Sequence, residues 1–63
     1  MLEITDLTLA KHILNINNLN NLVVRNHNDC IVLTFFMHHQ HVVPITVDRS
    51  TAERVMKFLG ELK

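Results

Sequence analysis

The chain has 63 residues, 48% of them hydrophobic, and its six Lys and Arg balance six Asp and Glu, so the formal net charge is zero. A chain of this length forms a single domain, 1–63, that buries only about 60% of its unfolded surface, and a second copy is one common source of extra stability. The balanced charge argues against a general polyanion binder, and the apolar content argues against a disordered segment.

The N-terminus lacks the pattern of a secretion signal. Glu3 stands where a basic region is required, and no stretch approaches the ~18 apolar residues of a membrane span. Cys30 is the single cysteine, which excludes an intrachain disulfide and fits a buried, reduced thiol. We therefore expect a cytoplasmic protein with no membrane partner.

The first 20 residues predict a helix over Leu7–Ile16, capped by Thr5 or Asp6. Its polar residues cluster on one side: Thr8, Lys11, His12 and Asn15. Read as a strand, residues 4–9 do not separate apolar from polar positions. The asparagine-rich stretch 15–21 is then the helix exit and connection. A strand in place of this helix, giving four strands plus one helix, is the alternative.

Three apolar segments rich in β-branched and aromatic residues predict an antiparallel meander: Leu22–Arg25, Cys30–Met37 and Val42–Val47. The loops that join them are short and polar, 26–29 and 38–41. Pro44 restricts the last strand to a sheet edge or to a position without a ladder hydrogen bond.

The C-terminal segment predicts an amphipathic helix. Ser50 and Glu53 form a capping box at its start, with Asp48 as the competing cap. Its apolar residues fall on one arc that packs on the sheet: Ala52, Val55, Met56, Phe58, Leu59 and Leu62.

The expected fold is thus a small α+β domain in the order helix–strand–strand–strand–helix. Adjacent strand residues point to opposite faces, so Phe35 and Phe36 cannot both lie beneath one helix. If Phe35 packs under the C-terminal helix, the face that carries Phe36 needs the N-terminal helix or another chain. We expect a homodimer, formed through this exposed face or through pairing of edge strands.

The histidine-rich turn His38-His39-Gln40-His41 is the one cluster with metal-binding residue types. His39 and His41 share a face if the segment is extended, but structural zinc usually has four ligands, often thiolates. We therefore predict a polar turn, no metal and no cofactor. Together with His27 in the neighbouring loop, these imidazoles gain charge below about pH 6.5 and are expected to destabilise the fold or the dimer.

The spacing of the residues does not indicate a catalytic site. Cys30, Asp29 and a histidine do not form a recognisable nucleophile arrangement, and a chain without a glycine-rich loop offers little room for a substrate cleft. We expect no enzymatic activity.

The predicted order of elements resembles that of the double-stranded-RNA-binding domain over most of the chain. That resemblance implies a basic cluster at the start of the last helix, where this chain has only Arg49 and Arg54 beside Asp48 and Glu53. The alternative with four strands resembles the dimeric single-stranded-DNA-binding coactivator fold, which uses stacking aromatics and a basic channel.

The sequence therefore favours a non-enzymatic interaction protein. We expect a homodimer that binds and modulates or inhibits a larger protein, as small phage- or plasmid-encoded regulators do, with a nucleic-acid-binding module as the alternative. The expected contact residues are Val32, Phe36, His39, His41, Val42 and Phe58.

Overall fold

The computed structural model describes residues 1–61, and in this range it contains five β-strands and one α-helix. They are β1 (Leu2–Thr5), β2 (Lys11–Leu14), β3 (Leu19–Asn26), β4 (Ile31–Met37), β5 (Val42–Val47) and α1 (Arg49–Glu61). β1 and β2 form a two-stranded antiparallel hairpin, and β3, β4 and β5 form a three-stranded antiparallel meander in that order. The order of strands in the meander and the C-terminal helix follow the sequence prediction, but β3 begins three residues earlier than the predicted Leu22, inside the stretch 15–21 that was predicted as a connection.

The predicted N-terminal helix over Leu7–Ile16 is wrong, and with it the helix–strand–strand–strand–helix order. The segment contributes strand β2, which pairs with β1 in the register Leu2↔Leu14 and Ile4↔His12. Leu2, Ile4 and Leu14 are buried. β1 alternates between buried apolar and exposed polar residues, but in β2 the apolar Ile13 is exposed and the polar His12 is half-buried, so its sequence does not read as a strand.

The Asp6 carboxylate organises that turn. Its Oδ1 accepts hydrogen bonds from the Thr8 amide (2.8 Å), the Thr8 hydroxyl (2.7 Å) and the Ala10 amide (3.0 Å). The His12 Nε2–H donates to Oδ2 at 2.7 Å. The hydrogen bonds from Thr8 and His12 hold the pKa of Asp6 well below its usual range. The turn also places Leu9 at φ 70°, a left-handed conformation that few non-glycine residues adopt.

The hydrophobic core lies on one side of the meander, which we call the inner face. Leu33 and Phe35 of β4 are fully buried there, and the register sets Leu33 beside Ile45 and Phe35 beside Val43. The N-terminal hairpin and the helix both pack on this face. The core residues are Leu2, Ile4, Leu14, Ile31, Leu33, Phe35, Ile45, Val47, Ala52 and Val55.

Helix α1 is capped by Asp48, the competing cap, and not by a box at Ser50. The Asp48 Oδ1 accepts from the Thr51 amide at 2.8 Å, and its carbonyl accepts from the Ala52 amide at 3.0 Å. Hydrogen bonds from the Thr51 side chain and amide lower the pKa of Asp48. No helix in the described part of the chain is long and apolar enough to cross a membrane.

Only part of the apolar arc of α1 is buried in the core. Ala52 and Val55 are buried, and Phe58 and Leu59 pack against the edge of the core. Met56 is 40% exposed. Leu62, also predicted on this arc, lies outside the described residues.

Candidate interaction surface

The opposite side of the meander, the outer face, is mainly apolar along β4 and β5 and carries Val23 between two polar residues on β3. Because the hairpin and α1 both pack on the inner face, residues 1–61 supply no second layer for it. The outer face consists of Asn21, Val23 and Arg25 on β3, Cys30, Val32, Thr34 and Phe36 at and along β4, and Val42, Pro44 and Thr46 on β5.

Three of the predicted contact residues meet on this outer face. Phe36 lies directly across from Val42 in the β4–β5 register. Val32 lies on the same face of β4, four residues before Phe36. Phe36 and Val32 are half-buried by their strand neighbours, and Val42 is 49% exposed. These side chains form one patch, as the strand alternation predicted.

Charge is almost absent from the patch. Arg25, exposed on β3 beside Val32, is the one charged residue among the described residues of the outer face. A single cation supplies little of the phosphate neutralisation that nucleic-acid binding requires.

Val23 belongs to the same patch and was not predicted as a contact residue. The register sets it beside Thr34, whose other neighbour is Pro44. Val23 shares a face with Thr34 because residues directly opposite each other in an antiparallel pair point to the same side of the sheet. Its place on the outer face therefore depends on how β3 is aligned with β4.

Phe58, His39 and His41 lie away from the outer face. Phe58 packs against the core on the inner side. His39 and His41 are exposed in the β4–β5 connection, where they line a depression of about 290 Å³ together with Ile13 and Val43. The predicted contact residues are therefore distributed over different surfaces.

The histidine turn is held in a left-handed backbone. His39 and Gln40 have φ values of 63° and 61°, and the Met37 amide donates to the His41 carbonyl at 2.7 Å. Tight hairpin turns with positive φ favour Asn and Gly, so this pair of residues carries backbone strain.

The turn brings together fewer imidazoles than the sequence suggested. The rings of His38 and His39 are 6.4 Å apart, but His27 lies in the β3–β4 loop, at the opposite end of β4. Within residues 1–61 there is no group of three or more His, Cys, Asp and Glu side chains placed to hold a metal ion.

Comparison of the chain with protein-family models, curated proteins and solved structures found no match. Its function is therefore inferred from its own geometry and charge.

Proposed function

We propose that this chain is a non-enzymatic interaction protein that binds a larger protein through the outer face of its meander. The observation that carries the proposal is the outer face, which has no covering layer in residues 1–61 although the apolar side chains of Phe36, Val32 and Val23 all lie on it. Burial of a Phe or Val side chain contributes about 1.5–3 kcal/mol, so covering this patch is a substantial driving force for association.

The charge of the face indicates the chemistry of the partner. A patch that is apolar at its centre fits a partner surface that is also apolar at its centre, because a charged group placed opposite Val32 or Phe36 would lose its hydration without compensation. At the rim, Arg25 fits a carboxylate on the partner. The partner is therefore a protein with an exposed apolar patch and an acidic rim.

A photo-crosslinking experiment tests this assignment. A benzophenone analogue of phenylalanine replaces Phe36 in the full chain expressed in its own cells, and a matched control carries the same group at Lys57, on the exposed side of α1. We expect a covalent adduct with another protein from position 36 and none from position 57. Excess wild-type chain should compete for that adduct, and the Val32→Lys variant should not.

Three outcomes would contradict the proposal. Adducts from both positions alike would mean that the cross-links are nonspecific. Adducts with only the chain itself from position 36 would make the outer face a self-association surface. Nuclease-sensitive adducts, together with binding that weakens steeply as salt is raised, would favour the nucleic-acid-binding alternative.

A further inference from the structure

The two edges of the meander differ in a way that bears on self-association. The edge of β5 is obstructed, because Pro44 has no amide to donate and the Leu7 amide of the N-terminal turn donates to the Thr46 carbonyl at 3.0 Å. The edge of β3, in contrast, is open. Within residues 1–61, β3 pairs only with β4, and no strand lies on its other side. It spans eight residues and contains no proline.

A long unprotected edge is a template for adding another strand. Natural proteins usually protect such edges with lysine, proline or a bulge. Strand β3 has one irregularity, between Leu19 and Asn21, and is regular from Asn21 to Asn26. The regular part is long enough to pair with a strand from a second molecule.

The sequence of this edge is symmetric about Val23 in the chemical type of its residues. Leu22 and Val24 flank Val23, followed outward by Asn21 and Arg25. Antiparallel pairing with a second copy around a two-fold axis at Val23 sets apolar Leu22 opposite apolar Val24. The same register sets polar Asn21 opposite Arg25, so every pair in the ladder is chemically matched.

An apolar groove runs beside this edge on the inner face. Leu22 and Val24 are only half-buried, and together with Met56 and Leu59 of α1 they line a groove of about 760 Å³. The described part of α1 packs chiefly on β1 and β4, which leaves this side of β3 less covered. A second β3 brought alongside would place its own Leu22 and Val24 at the mouth of the groove.

We propose that β3 pairs antiparallel with β3 of a second copy around a two-fold axis at Val23. The product is a homodimer in which two three-stranded meanders join into one continuous sheet. The occupant of this edge is a second copy because the edge is complementary to itself in polarity at each paired position.

The dimer also enlarges the outer face. Three strands spaced about 4.8 Å apart and about 20 Å long cover about 300 Å², whereas a standard interface buries about 800 Å² on each partner. Joining two meanders edge to edge doubles the outer face, with the paired Asn21 and Arg25 side chains of the two β3 strands lying between its two apolar halves. Its use for binding a larger protein rests on the proposed function, but the dimer itself does not.

A charge-swap experiment on the full chain tests the register. Asn21 and Arg25 are exposed and lie on the same strand, so substitutions there leave the buried core intact. Asn21→Lys places two like-charged pairs across the dimer and should weaken it, whereas Asn21→Lys combined with Arg25→Glu replaces them with opposite charges. We expect the double variant to dimerise about 2- to 30-fold more tightly than Asn21→Lys alone.

The measurement is the dimer dissociation constant by sedimentation equilibrium in low salt, with circular dichroism to confirm that each variant is folded. Asn28→Lys, which adds the same charge in the exposed β3–β4 loop, is the matched control and should leave the constant unchanged. A monomeric wild-type chain at millimolar concentration would overturn the proposal. So would a double variant that dimerises no better than Asn21→Lys.

The outer face as a dimer interface is a separate outcome. A dimer that is insensitive to Asn21→Lys but lost in Phe36→Ser would place the second copy on the outer face and overturn edge pairing. Failure of the proposed function gives a different result. If the dimer responds to the charge swap but position 36 forms no adduct with another protein, binding of a larger protein is refuted and the β3 dimer is not.

Discussion

Phe35 and Phe36 are neighbours in the chain, but the fold gives them opposite surroundings. Phe35 is 0% exposed within the core, and Phe36 is half-buried on the outer face. Replacing each by alanine removes the same atoms, so the difference between the two variants measures the difference between the two faces.

The expected magnitudes differ enough to be measured. Phe35→Ala loses the transfer free energy and leaves a cavity, at about 3–5 kcal/mol. A domain of this size has a total stability of roughly 3–9 kcal/mol, so Phe35→Ala should remove between about a third of that stability and all of it. Phe36→Ala leaves no enclosed cavity, and losing about half of a full burial costs about 0.8–1.5 kcal/mol.

Urea denaturation followed by circular dichroism at low micromolar concentration provides the comparison. Working at low concentration keeps self-association from adding to the stability of either variant. Equal losses for Phe35→Ala and Phe36→Ala would refute the assignment of inner and outer faces, because they would require both rings to be enclosed to the same extent.

Two further substitutions test the turns. Asp6→Asn should lower stability at pH 7, because the ionised carboxylate holds the β1–β2 turn and its pKa is depressed; the unfolded pKa is about 3.9, so the deficit should shrink as the pH falls through and below that value. Urea midpoints that differ equally at pH 7 and pH 2.5 would contradict this. Gln40→Gly, at φ 61°, should raise stability by about 1 kcal/mol, or roughly 4–8 °C in Tm, by relieving a left-handed conformation. His41→Gly, at φ −83°, is the control and should lower the Tm.

The C-terminal half of the fold could be predicted because its apolar runs coincide with its elements. The segment Val42–Val47 is β5 without change, and the predicted Cys30–Met37 differs from β4 by a single residue. Strong β-propensity, short loops and an N-capping aspartate all favoured the same structure there.

The N-terminal hairpin was missed because its turn is apolar. Leu7 and Leu9 are 52% and 83% exposed, yet in the sequence they complete an apolar arc that suggests a helix. The turn is held by the Asp6 carboxylate, and no glycine marks the left-handed position at Leu9. The motif Asp6-x-Thr8 was the one local signal for a turn.

Only part of the candidate surface could be predicted, because the sequence did not reveal the N-terminal hairpin or the pairing register. Alternation along β4 correctly separated Phe36 and Val32 from the core. Phe58 was assigned to the interface as one of the residues least explained by the predicted core, whereas the unpredicted hairpin enlarges the core against which it packs. Val23 required the pairing register, which composition does not contain.

The hydrogen bond from Leu7 to Thr46 has a consequence for the size of the assemblies proposed for this chain. A sheet with two open edges adds molecules without limit and grows into a filament, whereas a sheet with one open edge stops once two molecules have paired. The turn organised by Asp6 holds Leu7 against β5 and so acts as a stop. Disrupting that turn would leave Pro44 as the main obstacle to open-ended growth.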